Sequence, residues 1–184
     1  MKSLKFLLGA IAAVAVVVGG WFATIQITGN IHPVVPGVFY RSAQLSPEFL
    51  AETIARDHIA TVVNLRGSHP ADDWYRDEVG ATAKAGATHL DFALSAGTEP
   101  GSDRIHALVE LLRTAKKPVL VHCLQGADRS GLAAALFLRH VAGRDYADAS
   151  RQLSIRYGHF PWLGSATVAM DHAFDHAEAR DGSS

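Results

Sequence analysis

The sequence has only one cysteine, Cys123, so it cannot form an intramolecular disulfide or a cysteine-rich metal site. Net charge is also nearly absent: 17 basic and 18 acidic residues leave −1 at pH 7. No strongly basic surface is indicated, and we expect no nucleic-acid partner. The 184 residues suit one domain with an appendage. A lone cysteine in such a chain is more readily explained by reactivity than by cross-linking.

Charge is missing altogether from residues 6–25. This run of 20 residues follows Lys2 and Lys5. As a helix rising ~1.5 Å per residue it reaches the ~30 Å of a bilayer's hydrocarbon core. A cleaved signal peptide and an uncleaved signal anchor share a basic start and an apolar centre. We favour the anchor, because the apolar run continues past the weak cleavage site at residues 18–20. Residues 1–25 are therefore predicted to form a transmembrane helix.

The two lysines also predict the orientation of this helix. Positive charges flanking a membrane segment stay in the cytoplasm, so we expect the remainder of the chain on the far side, which in a bacterium is the periplasm, either membrane-anchored or released there after cleavage. Residues 26–37 are polar and contain Pro33 and Pro36. They are predicted to form a linker that holds the domain away from the membrane.

Residues 38–180 are predicted to form a single catalytic domain, and residues 181–184 a disordered tail. β-Branched runs alternate with helical patterns, which predicts an α/β fold with a parallel-rich sheet flanked by helices. Ser46 and Pro47 mark a helix start, with serine as the N-cap and proline at the first helical position. The remaining elements are predicted as strands at residues 38–40, 59–65, 88–94 and 119–121, and helices at 72–85, 102–112, 132–141, 146–154 and 165–179.

The segment VLVHCLQGADRSG, residues 119–131, carries the chemistry. A buried strand leads into a tight loop and then a helix. Five residues separate Cys123 from Arg129, so the loop can turn its backbone N–H groups inward and form a cradle for a phosphate-like dianion. We expect the substrate to be held by the loop and its hydroxyl neighbour, namely Leu124, Gln125, Gly126, Ala127 and Ser130.

Each residue type in this segment suits phosphoryl transfer. A helix N-terminus and a nearby cation favour the thiolate form of Cys123, which is the nucleophile. The planar fork of Arg129 matches two phosphoryl oxygens and stabilises charge in the transition state. Ser130 can cap the helix or assist departure of the sulfur. Gly126 lets the backbone approach the anion without a Cβ in the way.

The signature His122-Cys123, five residues, Arg129-Ser130-Gly131 resembles that of the cysteine-dependent protein tyrosine phosphatases. The GADRSG ending and the short chain are similar to the bacterial dual-specificity branch, including its exported members. A YRSAQ segment, residues 40–44, extends the likeness to about residues 38–160. Within it, Arg41 either supports the phosphate loop from behind or lies exposed. The resemblance implies hydrolysis of phosphomonoesters through a cysteinyl-phosphate, and we expect no cofactor and a monomer.

A general acid must protonate the leaving oxygen and then activate water. Glu99 lies in the loop at residues 95–101, where the resembled family carries a mobile acid. Asp128 lies inside the phosphate loop, and Asp91 is placed mid-strand. We rank Asp128 first, because covalent spacing fixes it near the thiolate, and Glu99 second. The alternative for Asp128 is a carboxylate that only orients Arg129 or a loop amide.

His172 and His176 stand four residues apart beside two aspartates, a spacing that can hold a metal. Charged residues near a polar C-terminus more often form a solvated face, and we predict no metal.

The sequence leaves the substrate open. We expect a phosphorylated protein first and a phospholipid or phosphoinositide second, because Gln125 and Ala127 stand where phosphoinositide-directed relatives tend to carry lysines. Two other classes remain. A rhodanese-like sulfurtransferase also places a cysteine in an anion-binding loop, and a non-catalytic phosphate-binding module keeps the cradle but usually loses the cysteine.

Overall fold

The structure, a computed structural model, describes residues 2–162 and 164–181. A five-stranded sheet forms its centre, with the strand order β1-β2-β5-β3-β4 across the sheet when the strands are numbered along the chain. The first pair is antiparallel and the other neighbouring pairs are parallel, so the predicted α/β fold with a parallel-rich sheet is confirmed. The strands are β1 (His32–Val35), β2 (Phe39–Ser42), β3 (Thr61–Asn64), β4 (Thr88–Asp91) and β5 (Val119–His122).

Helices cover both faces of the sheet. The fifth α-helix continues directly into a π-helical segment, Phe137–Val141. Short 3₁₀ turns follow later in the chain. The α-helices are α1 (Lys2–Ile27), α2 (Pro47–Asp57), α3 (Asp73–Lys84), α4 (Ser102–Thr114), α5 (Asp128–Leu136), α6 (Tyr146–Ser150) and α7 (Ala169–Asp181).

The alternation of side chains along the central strands divides the core into two layers. Val63 and Val121 pack with apolar residues of α4, α5 and α7. Their neighbours Val62 and Leu120 point to the opposite face, where α2 covers them. All four side chains are fully buried. β-Branched residues on both faces are expected of a central parallel strand, and they hold β5 rigid directly before Cys123.

The local signals at two helix starts can be compared with the structure. The Ser46 hydroxyl accepts a hydrogen bond from the Phe49 N–H at 3.3 Å, so the predicted cap of α2 is confirmed. Helix α5 begins at Asp128, four residues before the predicted start at residue 132. The sequence predicted the apolar part of this helix and missed its polar first turn. That turn brings Arg129 onto the helix and points the helix N-terminus at the phosphate loop.

The linker predicted for residues 26–37 is wrong. Strand β1 lies within it and pairs with β2, and Asn30 is buried. The two prolines suggested a linker, but β1 is an edge strand, where a proline without an N–H is tolerated. Pro33 faces Tyr40 across the pair, and the register shifts before Val35. This segment therefore belongs to the catalytic domain.

The helix predicted for residues 6–25 is present within α1. Its predicted membrane-spanning character is not confirmed, since none of the helices in the described part of the chain has both the length and the apolar character of a bilayer span. The end of α1 contacts the catalytic domain, because the rings of Trp21 and Phe160 meet edge to face with centroids 6.2 Å apart. The tail predicted at residues 181–184 lies outside the described residues apart from Asp181, the last residue of α7.

Candidate active site

Cys123 follows β5 directly and lies at the base of the loop that leads into α5. Its side chain is only 2 % exposed, and its Sγ lies 3.5 Å from the Ser130 hydroxyl in the first turn of that helix. Both the N-terminal end of α5 and this hydroxyl can stabilise negative charge on the sulfur. The thiol is therefore placed where an anion bound by the loop would meet it.

Gly126 is required by the shape of the loop. Its φ is +70°, in the left-handed region that favours glycine. A Cβ at this position would lie 2.5 Å from the backbone nitrogen of Ala43 and 2.7 Å from the carbonyl carbon of Ser42. Because both neighbours are backbone atoms next to β2, the loop packs against that strand with no room for a larger residue.

Arg41, at the third position of β2, holds the loop from behind and is fully buried. Its Nη2 donates to the carbonyl oxygens of Gly126 at 2.9 Å and Ala127 at 2.8 Å. Its Nη1 donates to the Gln152 carbonyl at 2.6 Å and the Gln152 side chain at 3.1 Å, and the guanidinium lies over the Tyr157 ring. Burial lowers the pKa of Arg41 to about 10, although the charges of Cys123, Tyr157 and Asp128 oppose this, so Arg41 stays protonated at neutral pH.

Asn30 binds the same loop from a second direction. Its amide nitrogen donates to the carbonyl oxygens of Gln125 at 3.0 Å, Gly126 at 3.1 Å and Tyr157 at 2.9 Å. In a planar peptide the C=O and the following N–H point in opposite directions. With the carbonyls of residues 125–127 bound from outside by Arg41 and Asn30, the N–H groups of residues 126–128 point to the interior of the loop. This is the orientation that the predicted anion cradle requires.

Arg129 lies at the carboxyl edge of the sheet. Its Nη1 makes long hydrogen bonds to the carbonyl oxygens of Leu65, after β3, at 3.4 Å and Leu94, after β4, at 3.3 Å. Its Nε is buried and has no hydrogen-bond partner among the described residues. A buried donor without a protein partner is costly, and an anion bound beside it would satisfy it. The fork of Arg129 is thus positioned, with donors available, beside the loop that holds Cys123.

Behind His122 lies a buried carboxylate that sequence reasoning missed. Oε1 of Glu78 lies 3.0 Å from Nε2 of His122 and 2.8 Å from Nε2 of His89, and the Gln44 amide donates to Oε2 at 2.5 Å. Burial by itself raises the pKa of Glu78, but the hydrogen bonds and charges of the two histidines outweigh it and lower this pKa to about 2. Glu78 is therefore ionised at neutral pH and orients His122 directly before the nucleophile.

The three candidate acids have different surroundings. Oδ1 of Asp128 lies 2.7 Å from Nδ1 of the fully buried His159, and the Nε2 of that ring lies 2.8 Å from Asp171 on α7. Burial lowers the pKa of His159, but the hydrogen bonds to Asp128 and Asp171 outweigh it and raise the pKa overall. This pairing favours an imidazolium between two carboxylates, which competes with proton donation by Asp128.

Glu99 and Asp91 bond to groups away from the cradle. Oε1 of Glu99 lies 2.5 Å from Nδ1 of the exposed His176, beside a cavity of 450 Å³ between α4 and α7. Asp91 accepts hydrogen bonds from the Asn64 amide and the Tyr75 hydroxyl, so it joins β3, β4 and α3. Glu99 nevertheless belongs to a segment that reaches the site, because the carbonyl oxygen of Leu94, five residues earlier, accepts a hydrogen bond from Arg129.

The rings of His172 and His176 lie on one face of α7 with centroids 6.5 Å apart. Across residues 2–162 and 164–181, no group of three or more histidine, cysteine, aspartate or glutamate side chains could hold a metal ion.

Sequence reasoning missed Asn30, Glu78 and His159 because no local motif marks them. For Asn30 the sequence offered one signal, the Gly29-Asn30 pair, which is typical of a turn. In the structure both residues have positive φ, +67° and +47°, at the entry to the domain. The sequence left open whether Arg41 supports the phosphate loop or lies exposed. The structure shows that Arg41 is buried and supports the loop.

Solved phosphatase structures share this fold. TpbA of P. aeruginosa is 22 % identical with a TM-score of 0.64, and the match covers 83 % of this chain and 91 % of TpbA. PTPMT1 is 16 % identical with a TM-score of 0.61, covering 84 % of this chain and 99 % of PTPMT1. Tk-PTP in its active form is 22 % identical with a TM-score of 0.58, covering 78 % and 92 %. No curated protein matches the chain by sequence.

A family model described as "Polymorphic toxin system, DSP-PTPase phosphatase" matches residues 37–142. The match runs from the start of β2 through the whole phosphate loop and α5, and so contains both Cys123 and Arg129. Since it spans more than half of the sequence, the chain belongs to this family of DSP-PTPase phosphatases.

Proposed function

We propose that the phosphatase works through a cysteinyl-phosphate, with Cys123 as nucleophile and Arg129 as the ligand of the transferred phosphoryl group. The observation that carries this proposal is the built cradle. Arg41 and Asn30 bind the loop carbonyls from outside, the buried thiol lies at the base, and the Nε of Arg129 has no partner among the residues that the structure describes. These are the parts that phosphoryl transfer to a thiolate requires.

Two displacements follow from this arrangement. In the first, the Cys123 sulfur attacks phosphorus, an S–P bond forms, the P–O bond to the leaving group breaks, and that oxygen takes a proton. In the second, water loses a proton and attacks phosphorus, the S–P bond breaks, and inorganic phosphate leaves with the thiolate restored. The Ser130 hydroxyl, 3.5 Å from Sγ, can donate to the sulfur as it departs. Arg129 binds phosphoryl oxygens in both steps.

We infer that Glu99 supplies the proton in the first step, once its loop moves towards the cradle. The contact between Glu99 and His176 is exposed, so solvent can replace it at little cost. Asp128 is bonded to an imidazole that is itself fixed by Asp171, and this favours its charged form. The expectation that ranked Asp128 first is therefore reversed in this proposal, and Asp128 takes the alternative role of a positioning carboxylate.

As substrate we propose phosphotyrosine in a protein. The thiol is buried, and a phenyl phosphate extends further from the peptide backbone than phosphoserine does. Leu124, 52 % exposed in the loop directly after Cys123, offers apolar surface to an aromatic ring. TpbA, one of the structural relatives, has been solved in complex with phosphotyrosine.

A phospholipid is the second candidate, and α1 is the observation that favours it. Among the described side chains of this helix, Val16, Val17 and Ile27 are 74 %, 71 % and 81 % exposed and present apolar surface. PTPMT1 has been solved in complex with PI(5)P. A substrate in the membrane would lie near a domain held by such a helix.

We also propose that the N-terminal segment directs the protein to a membrane and leaves residues 38–180 in the periplasm. The support is Lys2 and Lys5 followed by the uncharged run at residues 6–25. A reporter that works only in the periplasm, fused to the C-terminus, should be active, and the protein should pellet with membranes. Activity of a cytoplasmic reporter would contradict the proposal, and a shortened soluble product would show cleavage.

The proposed reaction is tested by phosphate release from para-nitrophenyl phosphate and a phosphotyrosyl peptide. Cys123→Ser should abolish release while inorganic phosphate still binds, because Arg129 and the cradle remain. A serine variant that kept more than a few per cent of the rate would exclude Cys123 as nucleophile. Release of sulfite from thiosulfate would favour a sulfurtransferase.

A further inference from the structure

Arg66 stands at the rim of the site, on the loop that follows β3. It comes directly after Leu65, whose carbonyl oxygen binds Arg129. Its Nη1 donates to the Gln44 side chain at 2.7 Å, and the Gln44 backbone N–H in turn donates to the Leu124 carbonyl in the phosphate loop at 3.2 Å. Two hydrogen bonds therefore tie Arg66 to the cradle.

Trp74, on α3, fixes the other side of this arginine. The guanidinium carbon of Arg66 lies 3.6 Å from the centre of the Trp74 ring, a close cation–π contact. The ring is itself held, because its Nε1 donates to Asp72 at 3.1 Å. One face of the guanidinium is covered and one nitrogen is bound, so Arg66 is oriented before any substrate arrives.

The charge of Arg66 is only partly offset by the carboxylates of Glu78 and Asp72 nearby. Among the described residues no carboxylate lies within ion-pair distance of it, and its Nε and Nη2 have no hydrogen-bond partner. Glu78 is already engaged by Gln44 and two histidines. Burial and the positive charge of Arg129 lower the pKa of Arg66, and the charges of Glu78, Asp72 and Cys123 oppose this only in part. An anion from outside would relieve the repulsion between the two arginines.

The burial of Cys123 indicates where this anion would come from. If the phosphate of phosphotyrosine meets the buried thiol, the peptide backbone on either side of it stays outside the loop. Arg66, which is partly exposed, then faces the side chains next to the phosphotyrosine. Gln125 and Ala127 bring no charge to the loop, and Arg66 supplies a cation at its rim.

We propose that Arg66 and Trp74 form a subsite for an acidic side chain that adjoins phosphotyrosine in the substrate. The planar fork of Arg66 matches a carboxylate, and Trp74 holds that fork in place. This inference rests on the proposed phosphotyrosine phosphatase function and adds a preference among its substrates. A phosphodiester of a lipid head group is the competing ligand for the same fork.

The test compares two phosphotyrosyl peptides that differ only in the neighbouring residues, glutamate in one and glutamine in the other. For the full-length wild-type protein, kcat/KM should be about fivefold higher for the acidic peptide, the size of one partly screened charge pair. The preference should shrink as salt is raised. In Arg66→Gln the ratio should fall to about one, and in Arg66→Glu a peptide with lysine neighbours should become the better substrate.

Arg76→Gln is the matched control. Arg76 is an exposed arginine on α3, bonded to Asp73 and to the Pro70 carbonyl, and its variant should keep the wild-type ratio. Thermal unfolding of each variant shows whether it is folded. Because each variant is judged by a ratio of two substrates, a general loss of rate does not mimic the effect.

Three outcomes overturn the inference: no acidic preference in the wild type, a preference that survives in Arg66→Gln, or loss of the preference in Arg76→Gln. An Arg66→Gln variant that keeps peptide selectivity but loses rate on vesicles containing a phosphatidylinositol monophosphate would assign the fork to lipid. If the wild type hydrolyses para-nitrophenyl phosphate but neither peptide, the proposed substrate fails, and this result is distinct from a failure of Arg66.

Discussion

Replacing Arg41 by methionine tests the support of the phosphate loop, because methionine keeps most of the side-chain volume and removes every donor. The change leaves the carbonyl oxygen of Gln152 buried without a partner, while the carbonyl oxygens of Gly126 and Ala127 each lose one of two donors and keep those of Asn30 and the Gly131 N–H. At about 2 kcal/mol for the unsatisfied carbonyl and about 2 kcal/mol for each of the two hydrogen bonds lost to the charged guanidinium, the loss comes to about 6 kcal/mol. Removing a buried charge offsets part of it, since a pKa lowered from 12.5 to about 10 corresponds to about 3 kcal/mol.

The expected net effect of Arg41→Met is therefore a fall of about 3 kcal/mol in the free energy of unfolding. At about 2–4 °C per kcal/mol for a chain of this size, Tm should drop by about 6–12 °C. The weaker hold on the carbonyls of Gly126 and Ala127 also lets the loop lose its shape, and kcat/KM for para-nitrophenyl phosphate should fall about 100-fold, as expected when reacting groups are misplaced by about 1 Å.

Urea unfolding and steady-state kinetics measure the two effects. Arg151→Met is the control, because Arg151 is an exposed residue whose ion pair with Asp148 lies at the surface, and its loss should change stability by no more than about 0.5 kcal/mol. If Arg41→Met unfolded within about 0.5 kcal/mol of the wild type and kept its activity, the inward orientation of the loop N–H groups could not depend on Arg41.

Three further predictions concern the acids and the buried histidine. Glu99→Gln should slow alkyl phosphates such as phosphoserine much more than para-nitrophenyl phosphate, whose leaving group needs little protonation, and equal slowing of both would exclude Glu99 as the acid. Asp128→Asn should slow both substrates alike, whereas a selective loss on alkyl substrates would restore it as the acid. Because the pKa of His159 is raised on folding above 6.5, its contribution to stability is complete below about pH 6.5 and is lost as pH rises through the folded value. The difference in urea stability between wild type and His159→Gln should therefore shrink from pH 6 to pH 9, and a growing difference would contradict the imidazolium between Asp128 and Asp171.

The strand, the loop and the helix around Cys123 could be predicted because their signals are local. A β-branched run specifies β5, and the spacing to Arg129 specifies a tight ring. Gly126 is a residue that this ring needs for its positive φ. Ser46 and Pro47 likewise specify the start of α2 through contacts within one turn of helix.

The residues that hold the ring in shape could not be predicted in this way. Asn30 acts on carbonyls 95 and 96 residues further along the chain, and Glu78 bonds to a histidine 44 residues away. Such pairs depend on the order of strands in the sheet, which the sequence pattern did not define. The same reason applies to the environment of the candidate acid Asp128. Covalent spacing placed Asp128 near the thiol, but only the fold shows that His159, 31 residues later, binds its carboxylate.

The central claim is that phosphate passes through the sulfur of Cys123, and trapping the intermediate tests it most directly. The wild-type protein is mixed with para-nitrophenyl phosphate, quenched in acid during turnover, and digested for mass spectrometry. The account predicts a phosphate on the peptide that contains Cys123, which disappears in Cys123→Ser and accumulates when the second step is slowed in Ser130→Ala. Phosphate on any other residue, or turnover at the wild-type rate in Cys123→Ser, would contradict it.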